Sequence, residues 1–243
     1  MELFLQIAII VAVAFIIKYI IRGISNIKNI NTLFIFLKNV EWRKKKTNPK
    51  QFIEALEQKG YFKYVTQDNI DKIKLEMAND FHPKATVPMA WDEEANTSID
   101  LRSHFCDGED VFEQEGITNM LNDLKPHFKA FGLKIDVTQH YEEWDDKKGL
   151  NHTITINNTK HIIFENYNGD WGWGIAPKRL AEILNYEFEK QGVEERVYLS
   201  MGGNEGLIHF FTDEQYKIID ANLTNKNEKP LSIDKWSKLN GLE

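Results

Sequence analysis

Few residues in this chain have the types and spacing to do chemistry. His104 and Cys106 stand two apart, followed by Asp107, Glu109 and Asp110. Strand residues two apart face the same side. The pair could therefore act as base and nucleophile, or join the carboxylates as metal ligands. A nucleophile also needs an oxyanion donor and a group that orients its base, and the sequence identifies neither. Ligands of these types also fall together in a strand and loop by composition alone. The seven histidines (82, 104, 127, 140, 152, 161 and 209) include no H-x-x-x-H or H-E-x-x-H pair. One cysteine excludes an internal disulfide framework and a multi-cysteine zinc module. No residue is assigned a catalytic role, and no metal or cofactor is expected.

More distinctive is Tyr141-Glu142-Glu143-Trp144-Asp145-Asp146, which sets four carboxylates around two aromatic rings. Its spacing does not fit a calcium loop. It reads either as a solvated loop between two strands or as an acidic surface with aromatic anchors for a basic protein partner. Asn166 to Gly174 forms a second aromatic loop, carrying Trp171 and Trp173 among glycines. Those rings are either a core plug or a binding edge. Gly202 to Gly206 lacks the Lys-Ser/Thr of a phosphate loop and falls between two strands, so it reads as a turn.

The elements that would hold these residues follow from periodicity and punctuation. Helices are expected at Gln51–Lys59, at Asp68–Phe81 with Asp68 as cap, and at Glu115–Phe131, with Pro126 marking a kink or a late start and Gly132 ending it. A further helix is expected at Pro177–Gln191 and another from Thr212 through Ile219. Strands are expected at Tyr61–Val65, Ser98–Phe105 and Leu133–His140, with a loop over 82–97. Asn157-Asn158-Thr159 marks a hairpin between His152–Ile156 and Lys160–Phe164; Gly202–Gly206 marks another between Arg196–Met201 and Leu207–Phe211. Strand pairs on tight turns, interspersed with helices, make the class α+β, with a mixed or mainly antiparallel sheet and several packed helices. No internal repeat is present.

This domain, taken as 51–243, is preceded by a different texture. Leu3 to Ile21 is apolar except for Gln6 and Lys18. At about 1.5 Å per residue it spans ~28 Å, close to a hydrocarbon core of ~30 Å. A transmembrane anchor is therefore expected over 1–23. A cleaved signal peptide fits poorly, because no basic residue precedes the run and Ala12-Val13-Ala14 lies inside it. Lys18, Arg22, Arg43, Lys44, Lys45 and Lys46 all follow the apolar core or close it, so the positive-inside rule places the body in the cytoplasm. Residues 24–50 form a basic juxtamembrane segment. Its Ile24, Ile27, Ile30, Phe34, Leu37 and Val40 recur at helical spacing, to lie on anionic lipid or to pack on the domain. The N-x-S/T sequons at Asn96, Asn151, Asn157 and Asn222 are discounted in so Asn-rich a chain.

The net charge of -7 over 243 residues conceals this division. Residues 1–50 carry 9 basic and 2 acidic side chains, a balance of +7; residues 51–243 carry 21 and 35, a balance of -14. So acidic a body argues against nucleic acid as partner. Disorder and a multi-span membrane protein are excluded by 42% hydrophobic and 28% charged residues.

In overall plan the chain resembles membrane-tethered bacterial immunity proteins, which neutralise toxins of contact-dependent or type VI secretion systems. The stretch RVYLSMGGNEGLIHFF (Arg196–Phe211), followed by Thr212-Asp213-Glu214-Gln215-Tyr216, is similar to segments of bacterial proteins of that kind. No functional residue is carried over from the resemblance. It implies a protein toxin as partner, basic enough to be steered by an acidic surface, and inner-membrane lipid around residues 3–21. Glu142, Glu143, Trp144, Asp145, Asp146, Trp171 and Trp173 are the candidate contacts. Two alternatives stand beside this reading: an enzyme using the His104/Cys106 region, and a membrane-anchored adaptor acting through its juxtamembrane helix.

Overall fold

Asn48 starts the first element: its side chain accepts from the Lys50 N–H at 3.0 Å, and Pro49 takes the first helical position. The result is α1 (Pro49–Gln58) in a computed structural model that describes residues 48–94 and 97–242. Among those residues no helix is long and apolar enough to cross a membrane. The expected anchor over 1–23, the basic segment as far as residue 47, and Lys18, Arg22, Arg43, Lys44, Lys45 and Lys46 lie outside them.

The class is α+β, with antiparallel pairing throughout the described strands. After α2 (Gln67–Asp80) come the two-residue strands β1 (Trp91–Asp92) and β2 (Thr97–Ser98), then β3 (Ser103–Phe105). Three helices follow: α3 (Gly108–Phe112), α4 (Gly116–Asp123) and α5 (Lys125–Phe131). A meander of β4 (Val137–Asp145), β5 (Gly149–Ile156) and β6 (Thr159–Tyr167) leads into the long α6 (Gly172–Lys190). The chain ends with β7 (Arg196–Ser200), β8 (Leu207–Phe211), α7 (Asp213–Asn222) and α8 (Ile233–Leu239). Two three-stranded sheets result, ordered β3-β8-β7 and β4-β5-β6.

Strand β8 is central in its sheet and buried along its whole length. Its alternation divides the interior. Ile208 and Phe210 join Leu180, Leu184 and Phe188 of α6 in one apolar cluster; Phe211 joins Leu56, Ile73 and Ile219 in a second, beneath α1, α2 and α7. Leu180 and Leu184 are sealed from solvent, and truncating such a leucine to alanine costs ~2–5 kcal/mol.

Local chemistry explains where the elements begin and end. Asn157 and Asn158 both take positive φ, +48° and +64°, the conformation a two-residue hairpin loop requires. Thr212 and Gln215 form a reciprocal capping box at the start of α7. The expected single helix over 115–131 breaks at Leu124, where Pro126 sits in the first turn of α5.

Several expectations are corrected. Tyr61–Val65 is not a strand but successive turns, with Lys63 N–H bonding Gly60 C=O and Val65 N–H bonding Phe62 C=O. Tyr61 and Phe62 fill the second cluster, and the Tyr61 carbonyl accepts from the Arg102 guanidinium rather than from a neighbouring strand. Ser98–Phe105 is interrupted by a turn with Leu101 at φ +54°, leaving Ser98 and Ser103 in separate strands. The strand expected from Leu133 starts at Val137. Gly132, at φ +72°, closes α5, and Leu133 N–H bonds back to Phe128 C=O.

Candidate functional site

The acidic stretch expected to be a loop is strand. Glu142 pairs with His152, Glu143 with Asn151, Trp144 with Leu150 and Asp145 with Gly149. β4 is an edge strand whose residues are nearly all exposed, so charged side chains are tolerated along it. Alternation places Tyr141 and Glu143 on one face, where the tyrosine hydroxyl donates to the carboxylate. His140, Glu142 and Trp144 take the other. Asp145 caps the turn, accepting from the backbone N–H groups of Lys147 and Lys148, both at 2.8 Å; Asp146 is exposed within it.

Trp144 lies against Phe112 at the end of α3, with ring centroids 5.3 Å apart and edges turned to faces. Phe112 also meets Phe164 at 5.4 Å and Tyr167 at 6.2 Å, both from β6. Gly172 gives that ring its room: a Cβ there would lie 2.3 Å from Phe112. The Trp171 backbone N–H donates to the Tyr167 hydroxyl at 2.7 Å. Both aromatic segments singled out in the sequence therefore meet on one seat, built by Phe112 and Tyr167. Trp171 and Trp173 are not in a simple loop, since α6 begins at Gly172 with Trp171 as its N-cap. Neither is a core plug. Trp144, Trp171 and Trp173 are exposed to 52%, 62% and 47%.

Exposed carboxylates stand on the segments that carry these rings. α3 is capped by Asp107, which accepts from the Glu109 N–H at 2.8 Å, and Asp110, Glu113 and Glu115 of the same segment are exposed. Glu143, Asp146 and Asp170 are exposed as well, with Lys147 and Lys148 as the basic residues of the β4–β5 turn. Trp171 also lines a cavity of about 260 Å³, together with Trp173, Gly202, Gly203, Trp236 and Leu242. Gly202–Gly206 is a turn, with one 3₁₀ turn over Gly203–Glu205.

A grouping that the sequence reading missed lies beneath Trp144. His140 Nε2 is 2.9 Å from His152 Nε2 and 3.7 Å from Glu142 Oε2. Glu142 is held by two donors, the Glu115 N–H at 2.9 Å and the Trp144 indole N–H at 3.1 Å. Burial pushes the His152 imidazole down to about 4; Glu142 works against that shift and His140 adds to it. The signal is invisible to a search for i, i+3 or i, i+4 pairs, because His140 and His152 are brought together by antiparallel register.

The His104/Cys106 region does not assemble a reactive pair. Cys106 is buried, and burial followed by the nearby Asp107 charge pushes its thiol up to about 12, the reverse of what a nucleophile needs. His104 is buried against the ring of His127, 5.4 Å away, and its Nδ1 has no partner. Asp107 is engaged as the cap of α3. Among the described residues, the group of three with ligand atoms close enough to share a metal is His140, Glu142 and His152. Comparison with protein-family models, curated proteins and solved structures gives no match.

Proposed function

We propose that this protein is a membrane-tethered immunity protein, anchored once in the bacterial inner membrane with its C-terminal domain in the cytoplasm. It neutralises a cognate toxin of a type VI or contact-dependent system by covering the toxin's active cleft. The observation that carries the reading is the pair of exposed indoles, Trp144 packed on Phe112 and Trp171 on the segment whose backbone N–H bonds Tyr167, on segments rich in exposed carboxylates. Large exposed aromatics that cluster are the usual anchors of a protein interface. The surrounding charge would draw in a basic toxin, such as a nuclease, and speed its association. Asp146 is exposed in the turn next to Trp144, Glu143 lies on the opposite face of β4, and Glu142 and Asp145 act by holding the Trp144 indole and the turn.

The test is affinity and growth protection with the full chain in detergent or in cells, against the basic product of an adjacent toxin gene. A 1:1 complex is expected, with association slowed by salt, and with Trp144→Ala plus Trp171→Ala weakening it by about a hundredfold or more. A chain that neither binds that product nor protects cells from it overturns the reading.

A further inference from the structure

The grouping under Trp144 carries a second inference, which does not rest on toxin binding. We infer that His140, Glu142 and His152 form a binding site for a zinc-class divalent transition-metal ion, with water as a fourth ligand. Three observations converge. The first is geometric. The three ligand atoms lie within 4.8 Å of one another, with separations of 2.9 Å between His140 and His152 and 3.7 Å between His140 and Glu142. Ligands about 2.0–2.1 Å from a tetrahedral ion stand roughly 3.3 Å apart, so the observed spacings bracket the requirement.

The second is the donor set. Two imidazoles and a carboxylate suit zinc and its neighbours in the first transition row, whereas calcium and magnesium prefer oxygen throughout. The third is the condition of Glu142. Its side chain is 4% exposed, yet among the described residues its single cationic neighbour within 4.0 Å is His140, which bears charge only when protonated. A carboxylate sequestered in this way calls for a cation. The Glu115 N–H and the Trp144 indole N–H fix its orientation, as outer donors fix the ligands of metal sites. His140 is at the exposed edge of β4, which leaves a path for the ion and room for water.

The site ties β4 to β5 and, through Glu142, fixes the Trp144 indole. Zinc binding should therefore also register in tryptophan fluorescence. The experiment uses the full-length chain without a histidine tag, purified in detergent and stripped with chelator. Zinc is titrated against a chromophoric competitor, and cobalt is added separately to read its visible absorption bands. One zinc per chain is expected. His140→Ala, at an exposed position, should weaken it by about tenfold or more and abolish the cobalt bands, and Glu142→Gln should act in the same direction. His152 is buried, so His152→Ala is informative only beside a circular-dichroism spectrum that matches the parent. No stoichiometric zinc, or binding by His140→Ala within about tenfold of the parent, overturns the inference and leaves a histidine pair joined by one hydrogen bond.

Discussion

Arg102 Nη1 lies 3.3 Å from Glu195 Oε1, with both side chains closed off from solvent. The guanidinium also donates to the carbonyls of Tyr61 at 2.9 Å, Gly60 at 3.1 Å and Phe210 at 3.2 Å, and lies over the Tyr64 ring at 4.7 Å. Glu195 accepts in addition from Lys63 at 2.6 Å and Tyr64 at 2.7 Å. One side chain thus ties the turn after α1, the approach to β3 and the entry to β7.

Replacing Arg102 by methionine would take its donor from the Tyr61 and Phe210 carbonyls, leave Gly60 with the Lys63 N–H alone, and leave Glu195 short of its buried partner. The expected loss is ~3–5 kcal/mol, the range for breaking a buried pair from one side. Glu195→Gln should lose less, because an amide still bonds to Tyr64 and Arg102. Burial alone would raise the Glu195 pKa, but Lys63, Tyr64 and Arg102 together outweigh it and hold the carboxyl below its ordinary value. Its stabilisation is accordingly complete above the unfolded pKa and lost as pH falls through the folded one. Urea unfolding of both variants measures the ranking, and equal stability of Arg102→Met and parent would contradict it.

Stability should fall on acidification well before the carboxylates titrate. Burial pushes His209 down to about 3, where Ser103 and Ser200 bond its two ring nitrogens at 2.7 and 2.8 Å. Burial, then the neighbouring His104, pushes His127 down to about 4. A histidine depressed in the folded state leaves the unfolded chain binding more protons. Its contribution is therefore full above an unfolded pKa of ~6.5 and declines as pH drops towards the folded value, by at most ~1.4 kcal/mol per pH unit for each group. Urea midpoints at neutral and mildly acid pH give the slope. His127→Phe, which packs by Phe131 and Phe210, should flatten it. A pH-independent midpoint across that window would refute the linkage.

Cys106 should resist alkylation while the protein is folded. Its thiol is buried, raised to about 12, and shielded beneath the Gly206 turn, where its own backbone N–H donates to the Gly206 carbonyl at 2.8 Å. Iodoacetamide at mildly alkaline pH is expected to label the chain in urea and to leave the native protein unlabelled. Stoichiometric native labelling would return Cys106 to consideration as a reactive group.

Legibility in the sequence followed how local each signal is. Asn157-Asn158, Gly132 and the Thr212–Gln215 box act within a few residues, and the elements they bound are close to where composition places them. β4 was not legible. An edge strand whose residues are nearly all exposed displays little burial alternation, and Glu142 to Asp145 look like solvated loop until β5 is seen beside them. The start of α6 was hidden for the opposite reason: Gly172 reads as a breaker, but it is there because the Phe112 ring leaves no room for a side chain. Trp144 and Trp171 were recognisable as candidates, while the link between their segments runs through Phe112 and Tyr167, which no spacing rule selects.

Gly108 provides the sharpest test of how that seat is held. A Cβ at this position would lie 2.2 Å from the backbone carbonyl oxygen of Trp173. A main-chain atom inside α6 cannot swing aside, so Gly108→Ala must push α3 and α6 apart and displace Trp173. The expected loss is ~1–3 kcal/mol, as for other overpacked contacts. Gly172→Ala collides instead with the tip of the Phe112 ring, a side chain that can rotate, and should lose less stability while disturbing Trp144. Urea unfolding separates the two stabilities, and the emission of the exposed tryptophans reports the displacements. A Gly108→Ala protein as stable as its parent would mean that α3 and α6 do not approach so closely, and that the aromatic face has another support.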